Sequence, residues 1–152
     1  MNIAVDPAET VEAVEEKVRS VLAGRTTLFL STAANDAPWA AGTFFAESGL
    51  FTLAIVLETR GTTLSNIRAN PRVAVVVSSG SPFEPFLQGD GTAVELTDER
   101  EVEATKAALL AKAPEIAPFL QVPLVAVSVR LRRWRVTDVP NGWLPGKELL
   151  AR

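Results

Sequence analysis

The sequence predicts a mainly β fold with flanking helices, in which six antiparallel strands close into a small barrel. Three observations carry this. Apolar runs rich in Val, Ile, Leu, Phe and Thr follow one another from residue 26, joined by links too short for a helical crossover. Helical signals are confined to one stretch before these runs, a short one in the middle and one late. Closing the sheet removes the open edges that such strands would otherwise present. The whole chain, 1–152, reads as a single domain, with residues 1–24 as an N-terminal helix and 138–152 as a C-terminal tail.

The first helix has a marked start at Asp6-Pro7-Ala8-Glu9: Asp6 suits the N-cap, Pro7 the first helical position, and Glu9 the return bond of a capping box. Val11, Val14, Val18, Val21 and Leu22 recur at helical spacing, and Gly24 suits the stop. "TTLFLSTA", "WAAGTFFA" and "LFTLAIVL" then read as a three-strand meander with turns at "ANDAP" and "ESG". A short helix follows, capped by Thr62 or Thr63 and stopped by Asn70-Pro71, with Leu64 and Ile67 facing inward.

"RVAVVV" and "FLQGDGTAVEL" are the fourth and fifth strands; Gly89 and Gly91 imply a bulge or the close approach of a backbone or ligand. Asp98 and Glu101 open a helix to about Ala113, which Pro114 and Pro118 break. "PLVAVSVRLRRWRVTDV" is the sixth strand. Val125, Val127, Val129 and Leu131 share one parity and Trp134 and Val136 the other, so a bulge is expected near Arg132 or Arg133. The tail "PNGWLPGKELLAR" reads as turn-rich.

Composition narrows the function. The chain has no His, no Cys and no Tyr, so Ser-His-Asp and Cys-His catalysis, Cys/His zinc sites and haem ligation by these residues are excluded. A general acid or base is restricted to Asp, Glu, Lys or the N-terminal amine, which favours a binding role or chemistry supplied by a cofactor. A net charge of −3 points away from nucleic acid. No apolar run reaches membrane-spanning length, the acidic N-terminus lacks the basic start of a signal peptide, and a chain without Cys is expected to be cytoplasmic.

Several residues have two readings. Arg130–Arg135 is a phosphate patch or the solvated face of a strand. Asp90 is a functional carboxylate or a bulge residue, and the acids of "ETVEAVEEK" are a metal site or a solvated helix face. Trp39 and Trp143 stack on a flat ring or pack in a core or interface. Lys147 reaches a phosphate or is simply exposed.

The segment Arg60-Gly61-Thr62-Thr63 follows a strand and opens a helix. Free N–H groups at a helix start, the helix dipole, the hydroxyls of Thr62, Thr63 and Ser65, and the charges of Arg60 and Arg68 together suit a phosphate; a polar connection with an ordinary Thr cap has the same sequence. Glycine spacing and a missing Lys exclude a P-loop.

This order, a strand, "Gly-Thr-Thr", a short helix, then Asn66-Ile67-Arg68-Ala69-Asn70-Pro71-Arg72-Val73, resembles the FMN-binding split-barrel family related to pyridoxamine 5′-phosphate oxidase. "APWAAGTFFAESGLFTLAIVLE" resembles that family's second and third strands and "LQGDGTAVELTDERE" its fifth, so the likeness covers about residues 25 to 140. The resemblance implies a six-stranded antiparallel split β-barrel and a homodimer with flavin at the subunit interface. It places the flavin phosphate at Arg60, Gly61, Thr62 and Thr63, with Asn66 in the following helix. It sets the ring beside Leu57, Glu58 and Thr59, with Ala41, Gly42 and Thr43 from the neighbouring strand, and Gln88 and Trp143 reaching in from elsewhere in the dimer.

It implies flavin-dependent redox chemistry on an unidentified small molecule. A deazaflavin (F420) reductase and a dimer without turnover are the alternatives on the same fold. Thr63 stands where the oxidase proper has a basic residue, and the tail lacks its "Arg-Leu-x-Pro" block, which points away from vitamin B6 oxidation.

Overall fold

The computed structural model describes residues 10–152; the helix start expected at Asp6–Glu9 lies outside the described residues. The first described helix, α1 (Val11–Ala23), opens on Thr10, whose hydroxyl accepts from the Ala13 N–H at 3.1 Å. Its Val14, Val18, Val21 and Leu22 are buried, as their spacing requires. They cover one flank of a core that continues through Leu28, Leu30, Leu53, Ile55, Val75, Leu87 and Trp134.

Among the described residues eight strands make the sheet, not six: β1 (Thr27–Ala34), β2 (Ala37–Phe44), β3 (Ala46–Gly49), β4 (Thr52–Glu58), β5 (Arg72–Val77), β6 (Phe86–Leu96), β7 (Leu124–Asp138) and β8 (Trp143–Leu150). The pairing is antiparallel throughout, in the order β2-β1-β5-β6-β7-β4-β3, with β8 added to β7. The two extra strands have physical causes. β3 runs on from β2 after one residue and pairs with β4 through a register shift at Glu47/Gly49, so "ESG" is a bulged strand end rather than a turn. β8 is an edge strand, where Pro145 has no inner ladder bond to forfeit.

The β1–β2 hairpin turns on Asn35 and Asp36, both at positive φ (52° and 62°), the two-residue turn that matches strand twist. The bulge expected in the long strand is present: Asp90 faces Arg133 and Gly91 faces Leu131, leaving Arg132 as the extra residue. It resets the phase so that Trp134 points inward, fully buried, with its Nε1 donating to the Leu50 carbonyl at 2.7 Å. It is also where β7 changes partner, from β4 over Leu124–Arg130 to β8 over Arg133–Asp138.

Helix α2 (Thr62–Ala69) joins β4 to β5. Its N-cap is Gly61 with no side-chain cap bond, so neither Thr62 nor Thr63 is the cap that the sequence implied. Helix α3 (Glu99–Lys112) opens on Asp98, whose carboxylate accepts from the N–H groups of Arg100 and Glu101. Beyond it, Pro114 and Pro118 convert the chain to a 3-10 segment, Pro114–Gln121. Among the described residues, no helix is long and apolar enough to cross a membrane.

Candidate functional site

The strand path ends at β2 on one side and at β3 beyond β4 on the other. β2 packs beside β4 with no ladder between them. A cavity of about 620 Å³ lies across this split. Thr27–Phe29, Gly42–Phe44 and Val56–Glu58 form its walls, and the 3-10 segment closes it with Ile116 and Phe119, followed by Val122 and Leu124. A smaller recess of about 190 Å³ continues toward α2 and adds Leu30, Ala41, Gly61 and Thr63. Gly42, Thr43, Val56, Leu57 and Glu58 line both spaces, so they form one site with two ends.

The recess is where the predicted residues meet: Ala41, Gly42 and Thr43 from β2, Leu57 and Glu58 from β4, and Gly61 and Thr63 at the start of α2. A Cβ built on Gly42 would find nothing closer than Phe29 Cε1 at 3.9 Å, so this glycine keeps the floor open rather than avoiding a clash. Thr63 is buried and its hydroxyl accepts from Trp39 Nε1 at 3.2 Å, which fixes the half-exposed indole beside the helix start. That hydroxyl keeps its own proton to donate. The first i→i−4 bond of α2 runs from the Ser65 N–H to the Gly61 carbonyl, so the N–H groups of Thr62, Thr63 and Leu64 precede the helical ladder.

Charge at this turn is already paired. Glu58 accepts from the Arg60 backbone N–H at 2.9 Å and from its Nε at 2.7 Å. The side-chain bond from Arg60 holds the Glu58 carboxyl below its usual value, and Glu58 in turn raises Arg60. The Arg60 side chain is 82% exposed and leans on Glu58 alone among the described ion pairs. Thr59 anchors the turn through its N–H to the Pro123 carbonyl at 3.1 Å, and Thr62 is exposed. Arg68 is bound by both oxygens of Glu95, away from the recess.

Other predicted residues lie apart from it. Asn66 donates its amide to Thr32 on β1 at 3.0 Å. Gln88 is exposed on β6 between Val76 and Arg135, in a surface cleft with Asp90, Arg133 and Glu148. Trp143 is buried in the main core with Lys17 Nζ 5.7 Å from its ring centre, so its face is occupied within its own chain. Asp90 binds both Arg132 and Arg133 at the bulge, which makes it a structural partner of these arginines. No acidic cluster able to hold a metal ion occurs among the described residues. Sequence reasoning missed the apolar end: Phe29, Phe44, Ile116, Phe119 and Val122. "PEIAPFLQVPL" carried the signal, since its prolines hold a run of large apolar residues outside any regular helix.

Residues 14–137 match the profile of the family described as pyridoxamine 5′-phosphate oxidase. The chain belongs to the pyridoxamine 5′-phosphate oxidase family. Solved structures share its split-barrel fold. A heme binding protein from Mycobacterium smegmatis is 17% identical, with a TM-score of 0.76 over 90% of this chain and 57% of its own. General Stress Protein 26 from Bacillus anthracis is 21% identical, with a TM-score of 0.68 over 91% of this chain and 98% of its own. A FAD-binding protein from Mesorhizobium loti is 19% identical, with a TM-score of 0.64 over 78% and 90%. At these identities the likeness is one of fold. The chain spans little more than half the length of the mycobacterial protein, and the curated proteins give no match. This chain supplies no His, Cys or Tyr to its site.

Proposed function

We propose that the protein binds FMN across the split between β2 and β4 and serves as a flavin-dependent oxidoreductase of a small molecule, working as a homodimer. The observation that carries this is the two-ended site. A small recess at the start of α2, where Thr43, Glu58 and Thr63 bring polar groups, opens into a larger apolar cavity along one shared wall. A flavin suits this junction, its phosphate at the recess and its flat ring along the shared wall, with the far end of the cavity left free.

The residues fit such a group. The N–H groups of Thr62, Thr63 and Leu64 and the hydroxyl of Thr63 suit the phosphate. Arg60 is exposed enough to turn from Glu58 toward it. Gly42 leaves the space a ring needs, and the Leu57–Glu58 backbone runs beside it. When bound, the flavin supplies the electron or hydride transfer that the side chains of this sequence cannot. Because Arg60 is paired with Glu58 and residue 63 is an uncharged Thr, the phosphate is held mainly by neutral donors, and affinity is expected to be modest.

The test is the visible spectrum of the purified protein, followed by separate titrations with FMN and F420. Saturable FMN binding is expected, and a colourless protein that binds neither sinks the reading. Gly42→Val should keep the fold, since a Cβ has room there, and weaken FMN binding about ten-fold or more by filling the floor. Thr62→Ala combined with Thr63→Ala should cost about ten-fold through lost hydrogen bonds. Unchanged affinity in both variants would place the flavin elsewhere.

A further inference from the structure

The apolar end of the site has a chemistry of its own. Phe29, Phe44, Val56, Ile116, Phe119 and Val122 line it. Among the described residues around it, the ionisable group is Glu58, and no Lys or Arg takes part. The Glu58 carboxylate is negative and already accepts both Arg60 donors. Thr27 and Thr43 supply the remaining side-chain polarity, and the Thr43 hydroxyl lies 3.4 Å from the Phe44 carbonyl.

We infer that this end takes a neutral, apolar, ring-bearing substrate and rejects anionic ones. The inference rests on the flavin reading, which sets the cofactor against the shared wall and leaves the end under Pro114–Gln121 to the substrate. An anionic ligand entering there would lose its hydration, find no cation, and approach the Glu58 carboxylate; each of these opposes binding. A neutral ring gains from burial against the three phenylalanines without such a cost. The size of the space suits a ligand of drug-like dimensions. The compound after which the family is described carries a phosphate, and the apolar end has no side chain to receive it. Specificity in this chain is therefore set by exclusion of charge, with a threonine hydroxyl available to orient one polar substituent.

The experiment compares two probes with one scaffold, 1-naphthol and 1-naphthyl phosphate, by calorimetry on the purified full chain with and without saturating FMN. With FMN bound, the naphthol is expected to bind about ten-fold or more tightly than the phosphate, and without FMN the free helix start is expected to narrow the difference. Val122→Lys, at an exposed position on the cavity lining, should shift this preference toward the phosphate by about ten-fold, with thermal stability confirming that the fold is kept. Equal affinity for the two probes with FMN bound overturns the inference, as does a preference that Val122→Lys leaves unmoved. Naphthol that competes with FMN one for one also overturns it, because the apolar end would then be the ring's own seat. Failure of FMN to bind, with the naphthol preference and its response to Val122→Lys intact, removes the flavin reading and supports the selectivity of the cavity.

Discussion

Asp138 illustrates how a side chain at the end of a strand can govern stability without touching the site. It is 1% exposed; Lys17 Nζ and Asn141 Nδ2 reach its Oδ2 at 2.8 Å and 2.7 Å, and its Oδ1 has no partner among the described residues. Burial pushes its pKa up, but the bonds from Lys17 and Asn141 outweigh this and leave it below the ordinary Asp value. A carboxylate depressed on folding contributes stability that is full above its unfolded pKa and is lost as pH falls toward the folded value. Stability should therefore drop from about pH 4 downward. Asp138→Asn should flatten that part of the acid limb while costing about 1–3 kcal/mol at neutral pH by leaving Lys17 unpaired. Melting temperatures of both proteins across this range check it; parallel acid limbs would contradict it. Position was legible in the sequence for Gly42, Gly61 and Thr63, which the structure brings together around the recess. The positions of the Asn66 and Trp143 side chains were not, because they are set by Thr32 and by the core through packing across the fold.

At the level of elements, periodicity revealed what alternation controls and hid what tertiary pairing controls. The parity switch between Leu131 and Trp134 gave the bulge to within one residue, because a buried face must continue through it. β8 escaped because an edge strand tolerates Pro145 and Gly146, which read as turn residues in isolation. Gly146 is itself required there: a Cβ would lie 2.7 Å from Thr137 Oγ1 and 2.8 Å from the Val136 carbonyl. Gly91 makes the sharper case, since its Cβ would fall 1.9 Å from the Arg130 carbonyl and 2.7 Å from Leu131 Cα. Backbone on both strands would have to separate at the point where β7 passes from β4 to β8. Gly91→Ala should thus lose about 3 kcal/mol or more, beyond ordinary overpacking. Gly49→Ala, with nothing within 4 Å, should be close to neutral. Urea unfolding of the two variants side by side decides this, and equal midpoints would show that the bulge relaxes at little cost.

At the scale of the whole molecule, β2 presents a problem that the described residues do not solve. It ends the strand order, none of its residues is buried, and "APWAAGTF" contains no charge to discourage pairing. Phe29, Trp39 and Phe119 stand around it at 54%, 47% and 60% exposure, and Phe29 and Phe119 also line the cavity. An uncharged apolar edge of this kind invites a partner or aggregation. The homodimer proposed here answers it by laying a second copy over β1 and β2, which would also narrow the open side of the cavity and keep water from the site. Light scattering should then give about twice the chain mass of 16.3 kDa at micromolar concentration. Phe29→Glu should shift the protein to the monomer, since its exposed position lets the fold survive while a carboxylate meets an apolar partner surface. Glu103→Lys, on the exposed side of α3, should leave the mass unchanged and serve as the control. A wild-type monomer, or a Phe29→Glu protein that remains dimeric, would move the interface off this face and leave β2 to be protected in some other way.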